Sequence, residues 1–188
     1  MSLNEILLLS ASIGTSALLI PSIDKKVSDV IREERFHKSS IINGIMKGGD
    51  IWGGGGAIAV AGLLYVLDNK ELGMATLKAT VLGGALARGI TVITGRARPY
   101  VSPDDALNFN LFKGLDYSLS SMPSGHSAVA FAFATAADKM TPRSFVKTVV
   151  LYSLATITAV SRVYDDKHWL SDVIMGSTIG YLIGNRIE

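Results

Sequence analysis

The chain has 188 residues, a formal net charge of +2, 48% hydrophobic side chains, a mean hydropathy of +0.36 and no cysteine. That length suits a single domain, 1–188, without room for a second. The lack of cysteine excludes disulfides, thiolate metal sites and cysteine nucleophiles, and the lack of a basic run or of aromatic–basic interleaving excludes a nucleic-acid surface.

Six apolar stretches follow one another at roughly 6–23, 51–67, 74–94, 125–137, 145–163 and 169–185. The first lacks a Lys/Arg-rich start and carries Glu5, so a retained helix is expected rather than a cleaved signal. Several stretches approach the ~20 residues that span a bilayer, although the fourth is short and the second is diluted by four glycines. Between the first two, Val27, Ile31, Phe36, Ile41 and Ile42 recur among charges, the pattern of an amphipathic helix at a membrane surface. His37 in this segment reads as a surface residue. The glycines at 53–56 lack the Lys-Ser/Thr of a phosphate loop. With Gly83, Gly84, Ala85, Ala87, Gly176 and Gly180 they read as small residues that let membrane helices approach closely. The fold expected is all-α: a six-helix transmembrane bundle with an amphipathic surface helix between the first two spans.

Three polar clusters interrupt this pattern. "GRARP" (95–99) ends the third stretch, "PSGH" (123–126) starts the fourth, and "SRVYDDKHWLSD" (161–172) joins the fifth to the sixth. The loop of more than twenty residues between the first two clusters is long enough to suggest a lid or substrate-facing role. If the stretches alternate direction, all three clusters lie on one face.

Their chemistry is coherent. Arg98 and Arg162 are permanent cations whose planar forks suit phosphate oxygens. Ser124 and the amides of Gly125 and His126 would sit at a helix N-terminus, an anion site. His168 and Asp172 are four apart and share a helix face, so the carboxylate can hold one imidazole nitrogen as N–H and leave the other free to attack. His126 is a second imidazole, suited to protonating a leaving oxygen. Taken singly, the arginines also fit interfacial anchors, "PSGH" an N-cap, and the His/Asp pair a structural hydrogen bond. A metal is not expected, because the arginines oppose a dication there.

These motifs closely resemble the type 2 phosphatidic acid phosphatase family, which shares its site with vanadium-dependent haloperoxidases. Its pattern is matched by Arg98-Pro99, by Pro123-Ser124-Gly125-His126, and by Ser161-Arg162, His168 and Asp172 with both internal spacings intact. The resemblance covers about 74–185. It implies His168 as a nucleophile forming a phosphohistidine, Asp172 as its orienting partner, and His126 as leaving-group acid and then base. Arg98, Arg162, Ser124 and the Gly125 amide would hold the phosphoryl oxygens, and neither metal nor cofactor is implied. The partners expected are the membrane and a lipid phosphate. Phosphatidylglycerol phosphate, phosphatidic acid, undecaprenyl diphosphate and lipid A phosphate are all compatible, and oligomeric state is left open.

One position departs: the family's motif lysine falls on Thr91. Lys167, Arg96 and Arg88 are the substitutes expected, in that order, since a helix side chain at Arg88 leans toward the N-terminus and away from the site. The positive-inside rule would place the site in the cytoplasm, whereas the resemblance implies a bacterial inner-membrane protein with a periplasmic site, the reading adopted here. The rivals are a vanadate-dependent haloperoxidase, opposed by the lack of a large soluble domain, and a non-catalytic lipid-phosphate binder, opposed by the intact histidines and aspartate.

Overall fold

The computed structural model describes residues 3–33, 39–67 and 69–187, and these hold eight α-helical segments and no strand. Helix α1 (Leu3–Leu19) runs through a π-helical turn at Ile20–Asp24 into α2 (Lys25–Glu33). Pro21 falls at the start of that turn and has no N–H for the helical ladder, so the chain bends there by 60°. Helix α2 is amphipathic as expected, but its apolar Val27 and Ile31 pack against Ala159, Val163 and Val173 of the bundle. Phe36 and His37 lie outside the described residues. Ile41 and Ile42 belong to the next helix, α3 (Ser40–Ile51), which Ser39 caps by accepting from the Ile42 amide.

Helix α3 continues through a second π-helical turn, Trp52–Gly56, into α4 (Ala57–Leu67). The second span therefore starts near residue 40 rather than 51. Asn69 caps α5 (Lys70–Thr94) by accepting from the Leu72 amide at 2.9 Å. After a long loop come α6 (Gly125–Met140), α7 (Phe145–Tyr164) and α8 (Leu170–Arg186).

Among the described residues, three helical runs are long and apolar enough to cross a membrane: Ser40–Leu67, Lys70–Thr94 and Phe145–Tyr164. A fourth is added if Leu3–Leu19 and Ser22–Glu33 form one bent span. The other two expected spans, α6 and α8, have only 16 and 17 residues. Their position explains the shortfall, because α6 packs against α4, α5, α7 and α8 and faces protein rather than lipid. Its Ala128, Ala130, Ala132, Ala134 and Ala136 are all but inaccessible.

The α6–α8 contact is built from small residues. A Cβ placed on Gly176, Gly180 or Gly184 would collide with the carbonyl oxygen of Ser124, Ala128 or Ala132 respectively. Both series advance by four residues, so one face of α8 lies directly on the backbone of α6 over three turns. Gly83 and Gly84 bring α5 onto Ala132 and Val129 in the same way, at 3.2 and 3.0 Å from an added Cβ. Ala85, by contrast, faces outward.

This contact sets the distance between "PSGH" and the His168–Asp172 segment. Gly180→Leu is expected to lower the thermal midpoint of the detergent-purified protein by the equivalent of ~1–3 kcal/mol or more of overpacking. Gly89→Ala, whose Cβ meets nothing within 4 Å, leaves the midpoint unchanged in the same melt.

Candidate active site

The site begins where α5 stops. Gly95 ends the helix in the left-handed conformation (φ 56°, ψ 34°), where a Cβ would strike the Asn110 carbonyl. The chain then folds back across the helix end. Asn110 N–H donates to Gly95 (2.9 Å), Phe112 N–H to Ile93 (2.9 Å) and Gly114 N–H to Val92 (3.2 Å). The loop expected to be a lid is thus tied by its backbone to the top of α5. Thr94 and Thr91 hold its far end, donating to the carbonyls of Met122 (2.5 Å) and Pro123 (3.2 Å).

Arg96 turns inward and is fully buried. Its guanidinium donates to Asp172 Oδ1 (2.5 Å), Asp24 Oδ2 (2.8 Å), Ser171 Oγ (2.8 Å) and the Ala106 carbonyl. One cation therefore joins the bend after α1, the start of α8 and the long loop. Asp24 also accepts from the Ser171 amide (2.9 Å) and hydroxyl (2.5 Å).

Asp172 is used differently from the sequence expectation. Its Oδ2 accepts from Ser121 Oγ (2.5 Å) and from the Trp169 amide (2.9 Å), while His168 Nδ1 stands 3.8 Å away. The close partner of His168 Nδ1 is the Ser121 carbonyl, at 2.6 Å. A carbonyl only accepts, so Nδ1 carries the proton and Nε2 the lone pair. Asp172 acts on His168 one residue removed, by fixing Ser121. Burial pushes the His168 imidazole below its usual range, against the opposing pull of Asp172, and leaves it neutral at pH 7.

A cavity of about 240 Å³ opens beside these groups, lined by Arg98, Gly125, His126 and His168 together with Arg88, Thr91 and Tyr117. Arg98 is buried, its Nη2 donates to Ser120, and its guanidinium lies 3.9 Å from the centre of the Tyr117 ring. Its Nε and Nη1, like Nε of buried Arg162, have no hydrogen-bond partner. Ser124, fully buried, caps α6 by accepting from the Ser127 amide and hydroxyl. It stands with Arg162 and Asp172 behind the cavity wall, and its own amide donates to the Asp172 carbonyl at 3.0 Å. Among the described residues no cluster of three His, Asp or Glu side chains is arranged to ligate a cation.

Of the three substitutes expected for the missing lysine, Arg88, placed last, is the one that lines the cavity. Lys167 lies over the Tyr100 ring at 4.8 Å, and Arg96 is enclosed by its carboxylates. Arg88 lines the cavity, its Nη1 donating to the Gly114 carbonyl at 3.0 Å. The loop carbonyl draws this long side chain over the helix end, which outweighs the N-terminal tilt of its Cβ.

Sequence reasoning missed three groups. Asp24 and Asp50 both lie on the face shared by the polar clusters, but nothing in the sequence sets them apart from the charges around them. Asp50 pairs with Arg162 Nη1 and stands 3.4 Å from His126 Nε2. The third is Arg32 on α2, whose fork grips Asp166 Oδ1 and Oδ2 (2.9 and 2.8 Å) and also donates to the Pro99 carbonyl (2.7 Å). It clamps a turn in which Asp166 has φ 58° two residues before His168.

The sequence model of the PAP2 superfamily matches residues 72–187. A stretch of 66 residues is 42% identical to the lipid A 1-phosphatase of Porphyromonas gingivalis, taking in 35% of this chain but only 15% of that protein. The fold is similar to the crystal structure of a transmembrane PAP2-type phosphatidylglycerolphosphate phosphatase from Bacillus subtilis. The TM-score is 0.69 at 19% identity, over 95% of this chain and 91% of the other. It is similar also to LpxE of Aquifex aeolicus, with a TM-score of 0.60 at 20% identity, over 87% and 93% of the two chains.

The two buried arginines of "GRARP" should part company on mutation. Arg96→Leu leaves Asp24 and Asp172 without their cation and is expected to cost about 3–5 kcal/mol, read as a large fall in thermal midpoint. Arg98→Ala removes a guanidinium with two unpartnered nitrogens, and its melt stays close to wild type.

Proposed function

Because the chain belongs to the PAP2 superfamily, we propose that this integral membrane protein is a lipid phosphatase acting through a phosphohistidine on His168. The observation that carries the proposal is the buried Arg98, with two unpartnered guanidinium nitrogens, in one cavity with a neutral His168 and with His126. Buried polar nitrogens without partners are costly unless a ligand supplies the acceptors, and a phosphoryl group matches a guanidinium fork.

In the first half-reaction the Nε2 lone pair of His168 attacks phosphorus. The bond to the leaving oxygen breaks as His126 gives that oxygen a proton. In the second, His126 takes a proton from water, the water oxygen attacks phosphorus, and the P–N bond breaks to release inorganic phosphate. Arg98 and the Gly125 amide stabilise the charge on the equatorial oxygens, and Arg162 adds its positive charge from behind the cavity wall. Ser124 serves by capping the helix that presents this amide, and Arg88 supplies the third positive charge in place of the lysine absent at Thr91. No metal is assigned, since guanidinium groups provide the charge.

A lipid substrate is supported by a second cavity of about 430 Å³ between α1, α5 and α8, walled by Leu9, Ile13, Leu86, Ile90 and Ile179. Pro123 borders both this groove and the polar cavity, so an acyl or prenyl chain in the groove would bring its phosphate to His168. Phosphatidylglycerol phosphate, phosphatidic acid, undecaprenyl diphosphate and lipid A phosphate all fit that description. We assign the site to the periplasmic face of a bacterial inner membrane.

The test is phosphate release by the detergent-purified protein from a panel of these lipids, with chelator present. Release is expected to persist in chelator and to vanish in His168→Ala; lipid binding without release from any of them would support the non-catalytic reading instead. Protonated His168 cannot attack, so kcat/KM rises with pH through its pKa. Burial sets that pKa below the ordinary 6.5, so the acid limb of the kcat/KM profile lies at lower pH than a free imidazole would give, and loss of the His126 proton brings kcat/KM down again on the alkaline side. Ile179→Trp, filling the groove, is expected to lower kcat/KM for long-chain lipid phosphates while sparing a short soluble phosphate ester.

A further inference from the structure

We infer that Asp50 is a positioning residue for the leaving-group acid, serving as the counter-ion that holds His126 ready to deliver its proton. The inference rests on the phosphatase reading above and extends it to a residue of α3, outside the 72–187 region matched to the family.

The geometry around Asp50 is built on both sides. One residue before it, Gly49 lies on α7, where an added Cβ would stand 2.9 Å from the Ile157 carbonyl oxygen, and Thr158 Oγ1 donates to the Gly49 carbonyl at 3.0 Å. Arg162 follows Thr158 by one helical turn, so this contact fixes Asp50 relative to Arg162. Beyond Asp50, a Cβ on Gly53 would stand 2.9 Å from His126 Cβ, and one on Gly54 3.1 Å from His126 Nε2. Glycine on both flanks lets α3 lie against α7 while the turn at Trp52–Gly56 lies against α6. The carboxylate between them reaches Arg162 and comes within 3.4 Å of His126 Nε2.

Charge gives this carboxylate a task. Burial first, and then the charges of Arg162, His168 and Arg98, disfavour a positive imidazolium at His126. Asp50 is the one anion placed against it among the described residues. A carboxylate only accepts hydrogen bonds, so it favours His126 with its proton on, the form needed when the bond from phosphorus to the leaving oxygen breaks. The half-exposed position of both side chains, 32% for His126 and 42% for Asp50, places the pair at the open edge, where a leaving group departs.

The dependence on leaving group tests this. An alkoxide needs a proton as it leaves, whereas p-nitrophenolate does not. kcat/KM is measured for dodecyl phosphate and for p-nitrophenyl phosphate with wild type, Asp50→Asn and His126→Ala. Asp50→Asn is expected to lose about 10²-fold on dodecyl phosphate and no more than a few-fold on p-nitrophenyl phosphate, the same bias as His126→Ala. Because both substrates meet one preparation, the ratio is independent of the folded fraction. Equal losses on both would mean that Asp50 only steadies Arg162, and no loss on either would leave it without a role; each overturns the inference. A wild type that releases phosphate from neither substrate would instead overturn the phosphatase reading itself.

Discussion

The buried guanidinium of Arg96 is the constraint on which the rest of the site depends. Two carboxylates taken out of water are tolerable only against a cation with good geometry, and Arg96 supplies it to Asp24 and Asp172 at 2.8 and 2.5 Å. With Asp172 fixed, Ser121 and the Trp169 amide are fixed, and the Ser121 carbonyl then sets the tautomer of His168. The chain of causes runs from an arginine that never meets the cavity to the His168 nitrogen that keeps its lone pair. It also explains the division within "GRARP", where of two arginines two residues apart one is enclosed by carboxylates and the other lines the cavity.

Close helix packing makes that network possible. In lipid, apolar surface gives helices no reason to associate, so contact depends on fit. Gly176, Gly180 and Gly184 bring α8 onto the α6 backbone, and the same approach lets the Ser124 amide donate to the Asp172 carbonyl. A helix enclosed in this way need be neither long nor strongly apolar. This is why α6, which carries Gly125 and His126 at its start, fails the simple test for a span while it lies at the centre of the bundle.

Within the site, charges divide by whether protein already satisfies them. Arg96 is engaged on all three nitrogens and Arg32 on Nε and Nη2, whereas Arg98 keeps two nitrogens without acceptors in the cavity wall. The first kind holds loops in place, and the second is available to an anion. The hydroxyl of Thr91 likewise holds a loop, through the Pro123 carbonyl, while Arg88 one turn earlier lines the cavity.

Much of this was legible in the sequence. Periodic apolar stretches and small residues implied an all-helical membrane bundle, and the order of the helices implied that "GRARP", "PSGH" and the His168–Asp172 segment share a face, as they do. Residue types and spacing also singled out His126, His168, Asp172, Arg98 and Arg162, because those chemistries are local properties of a motif. The partners of each were not legible. That His168 leans on the Ser121 carbonyl rather than on Asp172, that Arg96 is enclosed while Arg88 reaches the cavity, and that Asp24 and Asp50 join from helices outside the motifs are all contacts between residues distant in the chain. Sequence by itself determined which groups are present and on which face; only the tertiary structure decided who pairs with whom, because a charge takes its role from the partner that burial forces on it.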